Sequence, residues 1–586
     1  MRLAEPVPGA PQERRRGAGW TEGPLARAGL PLLVAAAAIA VGYALSVGLA
    51  GYFVYLGVSA VVAAIALLGL GVVTGTAGMI SLCQLTFAAV GAFVVSACNV
   101  AGVPGGFVTW LLLGGLAAAA AGVLVGLPAL RLRGITLAVV TLGLAAAADL
   151  TLVQIQFPGA TDGLSVERPG AFSDDRSYFL FAVLVLVACG LAVHFLRRGR
   201  WGSSWHLVAF SERGTAAVGA GVRTSKLTAF AVSAALGGIS GGLLTGQVGL
   251  AFPASFTAIQ SLALYVLAVM SGAHLIDMAV FGALLWVAVP ELLKRWGVPQ
   301  DWGFVVFGVL GVQALTSRGN LGTAVRALWY RRRTRITAGL TGVADVEPVP
   351  IGDPVLEVRG LSVSFGHVTA LSDVDITVPE HGILGVIGPN GAGKSTLVDA
   401  LSGFLPRATG TATLDGRPLT GSPTRRARSG LRRTFQQDRV PPGLTVGAYV
   451  RFVARRRLTG REVADALEFF GCPGPRTPLS RVDAGARRLV EVVGHLLAKP
   501  RVLLLDEPAA GLPHEEHVAF GGRLRQVPAR FGVSVLLIEH DLDLVRSVCD
   551  TLTVLDFGQV LASGPQADVL ADPAVLKAYM GETELL

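Results

Sequence analysis

The sequence predicts a polytopic α-helical membrane domain of about ten spans, followed by an α/β phosphate-loop domain. Three observations carry this. The 586 residues are 52% hydrophobic and only 15% charged, where soluble globular chains carry roughly 25% charged residues. The two ends differ in kind: residues 28–196 contain no lysine and run through long Ala/Val/Leu/Gly stretches, whereas residues 354–586 have an ordinary soluble composition. Residues 388–396 read Gly-Pro-Asn-Gly-Ala-Gly-Lys-Ser-Thr, a full G-x-x-x-x-G-K-[ST] loop of the kind that cradles phosphate groups.

The elements follow in chain order. Residues 1–27 are rich in Pro, Gly and Arg and are expected to be a disordered cytoplasmic N-terminus. They are not expected to form a cleavable signal peptide, since the first apolar run is followed by many more. A spanning helix needs about 20 apolar residues. Candidate runs lie at 28–47, 53–73, 80–100, 106–127, 135–156, 178–196, 227–248, 258–274, 277–294 and 303–317, all within a membrane domain expected over 28–317. Gly75, Gly78 and Gln84 mark a broken or re-entrant helix. An even count puts both ends on one side. The 197–226 loop agrees, with Arg197, Arg198, Arg200, Arg213, Arg223 and Lys226, as do Arg331–Arg333 and Arg335 after the last run. Lys294 and Arg295 fall on the opposite side, and the acidic 158–177 loop is placed outside. Residues 318–353 read as a linker, basic and then Gly/Thr/Pro-rich.

The expected location is therefore the cell (plasma or inner) membrane, multi-pass, with the soluble domain cytoplasmic. The net charge of +9 comes from arginines beside apolar runs. That pattern fits contact with membrane lipid rather than with nucleic acid, which is not expected as a partner. The five cysteines form no C-x-x-C pair and no Cys/His cluster, and read as small buried hydrophobes.

In the C-terminal domain, Val355–Val358 and Ile376–Val378 read as short strands, and Ile383–Ile387 as an apolar strand entering the phosphate loop. The helix after the loop is expected over Thr396–Ser402. Backbone amides around Gly391 and Gly393 point at phosphate from a helix N-terminus. Lys394 supplies a charge at the β/γ-phosphates, and the Ser395 hydroxyl can ligate Mg²⁺. A second motif, Val502-Leu-Leu-Leu-Asp-Glu-Pro, is a buried strand ending in two carboxylates. Asp506 can hold Mg²⁺, and Glu507 can orient or deprotonate an attacking water.

Further motifs form an ordered set that resembles ATP-binding cassette (ABC) ATPases. Strand Val533–Ile538 followed by Glu539-His540-Asp541 looks like the family's switch histidine, and Thr434-Phe-Gln436 its glutamine loop. Phe365 sits where the family stacks an aromatic on adenine, and Ala509-Ala-Gly-Leu-Pro513 resembles its D-loop. The wording of Gly-Pro-Asn-Gly-Ala-Gly-Lys, Arg-Arg-Thr-Phe-Gln, Asp-Glu-Pro-Ala-Ala-Gly-Leu and Ala578-Tyr-Met-Gly581 is similar to ATPase subunits of branched-chain amino acid importers. The resemblance implies an α/β ABC ATPase over 354–586 with ATP and Mg²⁺ as cofactors. It implies that Gly388, Pro389, Asn390, Gly391, Ala392, Gly393, Lys394, Ser395, Thr396, Phe365 and Asp506 hold nucleotide. Ser395, Gln436 and Asp506 would hold Mg²⁺, and Glu507, His540 and Gln436 would serve catalysis.

One element departs. The family's signature loop is Leu-Ser-Gly-Gly-Gln or Leu-Ser-Tyr-Gly-Gln, and the matching stretch here is Val482-Asp483-Ala-Gly485-Ala. A shifted alignment, through Leu479-Ser480, is the alternative reading. In the family this loop closes on ATP held by a second ATPase domain. Asp483 would bring an anion towards an anion, a repulsion on the order of 4 kcal/mol at about 4 Å and an effective dielectric near 20.

The membrane half also resembles that importer type, as its permease. The segments are Gly78-Met-Ile-Ser-Leu-Cys-Gln84, Pro128–Leu142, Phe252-Pro-Ala-Ser-Phe256 and Pro290-Glu-Leu-Leu293. A glycine-rich turn of the family is altered here to Ser271-Gly-Ala-His-Leu-Ile-Asp277. The 203–226 loop, with Ser211-Glu-Arg-Gly-Thr-Ala-Ala-Val-Gly-Ala-Gly221, is similar to the coupling segment that docks on the ATPase; an ordinary amphipathic loop is the alternative. Asp149, Gln84 and Asp277 are polar groups at or near membrane depth, open to a transport or a packing role.

The implied function is ATP-driven import of amino acids, branched-chain by resemblance. The implied partners are a second permease, a second and different ABC ATPase, and an extracytoplasmic substrate-binding protein. The rivals are a urea or short-amide importer, an ABC exporter half-transporter, and a nucleotide-sensing membrane protein without transport.

Overall fold

The computed structural model describes residues 24–132, 134–316, 322, 339, 347, 349–512 and 514–580. The expected 318–353 linker, residues 1–23, Pro513 and Gly581 lie almost wholly outside these. The N-terminal half is helical: α1 Pro24–Gly48, α2 Gly51–Leu70, α3 Gln84–Val100, α4 Gly106–Ala129, α5 Ile135–Ile155, α6 Asp175–Arg198, α7 Arg200–Phe210, α8 Glu212–Ala217, α9 Val222–Val248, α10 Ala258–Ser271, α11 Ile276–Arg295 and α12 Trp302–Thr316. Among the described residues, 8 helices are long and apolar enough to cross a membrane; Gln84–Val100 and Trp302–Val312 are apolar but shorter. Helix α1 starts at Pro24, inside the stretch expected to be disordered. The stretch long and apolar enough to cross a membrane begins at Gly29.

Helix α9 is the hub, packing on α2, α3 and α4. Small residues allow this approach: a Cβ on Gly241 would lie 1.8 Å from the Ala88 carbonyl oxygen, and one on Gly91 2.1 Å from that of Gly238. The break expected at Gly75–Gln84 is present. After α2 the chain winds as a π-helical turn, Gly71–Thr76, and leaves helical conformation until Gln84. Backbone groups freed within a bilayer must find partners inside the protein. Here the Leu82 N–H donates to Thr141 Oγ1 (3.1 Å) and the Leu85 N–H to Ser261 Oγ (3.3 Å). Gln84 Nε2 donates to the carbonyls of Ser233 (3.1 Å) and Ala66 (3.3 Å), while Ser233 Oγ donates to Gln84 Oε1 (3.1 Å). Gln84 therefore ties α2, α3 and α9 together, a packing role. Asp149 accepts from the Ala258 N–H at the start of α10 (3.4 Å).

The C-terminal half has two sheets. Strands β1 Pro354–Phe365, β2 Val368–Pro379, β4 Thr409–Leu414 and β5 Arg417–Pro418 form an antiparallel sheet in the order β2-β1-β4-β5. The larger sheet runs β10-β9-β3-β8-β7-β6, from β3 Ile383–Ile387, β6 Leu431–Arg433, β7 Val502–Asp506, β8 Ser534–Ile538, β9 Thr551–Asp556 and β10 Gln559–Pro565. Its core is parallel, β9-β3-β8-β7-β6. Strands β3, β7 and β8 are buried along their whole length, as strands covered on both faces must be. Strands β1 and β2 are longer than the sequence reading placed them, because their alternating outer residues are polar and hide the pattern.

The sequence reads the arginine run Arg425–Arg433 as a solvated helix face, with contact to anionic lipid or to the membrane domain as the alternative. Only part of it is such a face, since Arg425 and Arg428 are exposed while Arg428 also donates to the Gly219 carbonyl of the membrane half. Arg425, Arg426 and Arg428 lie on a short helix, Pro423–Arg428; Gly430, at φ +114°, ends it, and Arg432 and Arg433 are buried on β6.

Candidate active site

Strands β3 and β7 lie in the same sheet on either side of β8. The loop after β3 and the carboxylates ending β7 therefore emerge at the same edge. The phosphate loop bends through Gly388, Gly391 and Gly393, all at positive φ. A Cβ at Gly388 would lie 2.1 Å from the Leu555 carbonyl oxygen, so only glycine fits there. A Cβ at Gly391 would meet nothing within 4 Å, so there it is the positive φ rather than crowding that favours glycine. The helix Lys394–Leu401 begins there with no side-chain cap. Its first-turn amides are thus free to face an anion, with the helix dipole favouring negative charge.

Lys394 Nζ donates to the carbonyls of Gly388 (2.6 Å) and Pro389 (2.9 Å). Burial pushes its pKa down, and the nearby Glu507 and Asp506 carboxylates oppose that. Asp506 is 5% exposed, and burial raises its pKa although Arg433 stands beside it. Arg433 Nη2 lies 3.2 Å from Asp506 Oδ2, and Arg433 Nη1 donates to Asp399 Oδ1. Glu507 has φ +47°, a left-handed conformation unusual for its residue type. Its carboxylate accepts from Gln436 Nε2 (2.8 Å). Its carbonyl accepts from Arg488 Nη1 (2.9 Å), and Arg488 Nη2 donates to the Gln436 carbonyl.

Glu539 is 2% exposed, and burial raises its pKa to about 7. Its carboxylate accepts from the Ala509 N–H (3.4 Å) and lies 3.7 Å from His540 Nδ1. Phe365, at the end of β1, is 53% exposed and so leaves a ring face free for stacking. The predicted residues of the phosphate loop, Asp506, Glu507 and Gln436 thus converge. Sequence reasoning gave no role to Asp399, Arg433 or Arg488, which act on that group from other elements; Arg433 stands in the Arg-Arg-Thr-Phe-Gln stretch, but Asp399 and Arg488 carry no local motif.

The signature stretch stands apart in kind. Asp483 is the N-cap of the helix Ala484–Leu496, and its Oδ1 accepts the Ala486 N–H at 2.7 Å. Glu516 feels Asp483, which adds to the effect of burial in raising its pKa.

The segment α7–α8 meets this domain directly. Arg213 Nη2 lies 2.6 Å from Asp399 Oδ2, Arg428 Nε donates to the Gly219 carbonyl (2.9 Å), and Thr424 Oγ1 donates to that of Ala220 (3.3 Å). Leu207, Val218 and Ala220 join the apolar cluster that holds Val440, Leu444 and Tyr449.

Residues 52–315 match the family described as branched-chain amino acid transport system, permease component, and residues 371–510 match ABC transporter. The ATP-binding protein BraF of high-affinity branched-chain amino acid transport in Pseudomonas aeruginosa is 34% identical over 251 residues, covering 39% of this chain and 98% of BraF. The chain belongs to the ABC transporter family. The corresponding protein LivG of Escherichia coli K12 is 32% identical over 254 residues, 40% of this chain and 100% of LivG. The ATP-binding protein FbpC for Fe(3+) import in Streptomyces coelicolor is 33% identical over 226 residues, 38% of this chain and 64% of FbpC. This ABC transporter chain carries a permease domain fused to an ATPase domain, and ATP hydrolysis coupled to transport is the activity of that pairing.

Proposed function

We propose that the chain imports branched-chain amino acids, as a permease over 28–317 fused to a cytoplasmic ATPase over 354–586. The observation that supports this reading is the pairing on one chain of a branched-chain permease match with a cassette similar to BraF and LivG. The cassette alone does not favour one substrate, since FbpC is about as similar to it. Import rather than export is supported by the short docking helix α8, where an exporter would use long cytoplasmic helices.

In the mechanism we infer, Lys394 leaves the loop carbonyls for the β/γ-phosphates, and Phe365 stacks on the adenine. Ser395, Asp506 and Gln436 offer a hydroxyl, a carboxylate and an amide carbonyl, hard oxygen donors that suit Mg²⁺. Mg²⁺ would neutralise charge on the phosphates. Glu507, held by Gln436 and Arg488, orients and deprotonates the attacking water, and His540, by its resemblance to the switch histidine, would contact the terminal phosphate. The partners are a second permease, a second ATPase of different sequence and an extracytoplasmic binding protein. A different ATPase is favoured by Asp483, which fills the helix terminus that a partner's ATP would approach.

The test is uptake of labelled leucine, valine and isoleucine, with urea as the competing case, into proteoliposomes holding the chain and its partner subunits. Binding protein and ATP are supplied on opposite faces. Leucine uptake that is lost in Glu507→Gln supports the reading. Urea uptake alone, or outward transport, overturns it.

A further inference from the structure

Two arginines from different halves of the molecule share one carboxylate. Arg213 lies in the first turn of α8, on the permease side, and its guanidinium stands 2.6 Å from Asp399 Oδ2. Asp399 is four residues after Ser395 on the helix that follows the phosphate loop, and so lies on the same helix face. Its other oxygen accepts from Arg433, which also reaches Asp506 at 3.2 Å. The two arginines share a ring as well: Phe404 lies 4.7 Å from the Arg213 guanidinium and 5.9 Å from that of Arg433. Exposure falls from the outer pair to the inner pair, with side chains 49% exposed at Arg213 and 21% at Asp399 against 6% at Arg433 and 7% at Asp506. The inner pair is thus weakly screened and the outer pair strongly screened.

We propose that Arg213, Asp399, Arg433 and Asp506 form a charge relay between the docking segment of the permease and the nucleotide site. This rests on the reading that Asp506 holds Mg²⁺. Asp506, once engaged by a divalent cation, no longer offers its charge to Arg433. Arg433 is repelled by the same cation and turns to Asp399. Asp399 then has less to offer Arg213, and the docking segment is loosened on one side while the Gly219 and Ala220 contacts persist. Linkage makes the effect reciprocal: removing Arg213 frees Asp399 to draw Arg433 from Asp506, which favours the cation-bound state.

The relay is tested on the full-length chain in nanodiscs, by titrating a fluorescent ATP analogue with magnesium chloride or with EDTA. Arg213→Gln is expected to tighten binding about 3- to 10-fold with magnesium, within the usual range of coupling between sites, and to leave binding in EDTA unchanged. In the Asp399→Asn background, Arg213→Gln is expected to add nothing. Arg213→Lys keeps the charge and is expected to restore wild-type binding. An equal shift with and without magnesium overturns the relay, as do additive effects of the two substitutions. Asp506→Asn tests the underlying reading separately: if the magnesium dependence of binding survives it, Asp506 is not the metal's ligand. Melting curves of each variant without nucleotide confirm folding, and Asp399→Glu stands in should Asp399→Asn unfold.

Discussion

The phosphate-loop helix and the signature helix both begin where phosphate is expected, and they begin in opposite ways. Gly393 opens Lys394–Leu401 with no side chain over its first-turn amides. Asp483 opens Ala484–Leu496 with its carboxylate already bonded to Ala486 N–H at 2.7 Å. A helix N-terminus carries about half a positive charge and unpaired donors. Left open, it is an anion site; filled by a carboxylate, it is a stable helix start and a poor anion site. The same domain thus holds one terminus suited to its own ATP and one ill-suited to a partner's.

The contrast breaks most sharply at Lys394. Lys394→Ala removes the cation of the open terminus and is expected to lower ATP hydrolysis by the assembled transporter about 10³-fold, the upper range for losing a charge-stabilising donor. Phosphate release, measured with and without the partner ATPase, checks this. A loss under about tenfold would mean that hydrolysis occurs mainly at the partner's phosphate loop.

The filled terminus is held by a buried helix whose Glu491 is 3% exposed. Burial and Asp438 push the Glu491 carboxyl up to about 8, against Arg488, Arg439 and Arg433. In the unfolded chain Glu491 ionises near the ordinary carboxylate value, so between the two values the folded state binds the extra proton. Stability then falls as pH rises through that window, by about 1.4 kcal/mol per pH unit. From about pH 5 to about pH 7 the loss is on the order of 3 kcal/mol. Glu491→Gln is expected to flatten this slope in chemical unfolding of the full chain, and an unchanged slope would assign the pH dependence elsewhere.

How much of this was legible in the sequence depends on whether partners are neighbours in the chain. Gly388–Thr396, Asp506 and Glu507 are contiguous motifs, and the order of strand, loop and helix could be read from apolar runs. Asp399 and Arg488 meet the site only through the sheet and the helix packing, so no local pattern announces them, and the motif around Arg433 does not say that its guanidinium turns to Asp399 and Asp506. The run Arg425–Arg433 misled because charge alone suggests a solvated face, whereas Gly430 splits it and β6 pairs beside β7, burying two of its arginines. In the membrane half, Gly75 and Gly78 announced the break, but not that Thr141 and Ser261 would satisfy the freed N–H groups.

Asp483→Ser sharpens the comparison by keeping the cap and removing the charge. Serine is about as good an N-cap as aspartate, so stability should hold while the terminus becomes receptive to phosphate. Hydrolysis by the purified chain alone is expected to rise about tenfold, equivalent to 1.4 kcal/mol of barrier. No rise would place the defect in Ala484 or Ala486, which stand where the signature has glycine or tyrosine and glutamine, rather than in the charge.

Asp483→Ala removes charge and cap together, and the smallest effect separates the two. Losing the bond to the Ala486 N–H should cost about 1 kcal/mol of stability, read as a lower unfolding midpoint than that of Asp483→Ser. If the alanine variant raises hydrolysis as far as the serine variant while melting lower, the carboxylate alone kept phosphate away. If it raises hydrolysis less, the serine hydroxyl itself donates to the partner's nucleotide, and the filled terminus is one substitution from working like the open one.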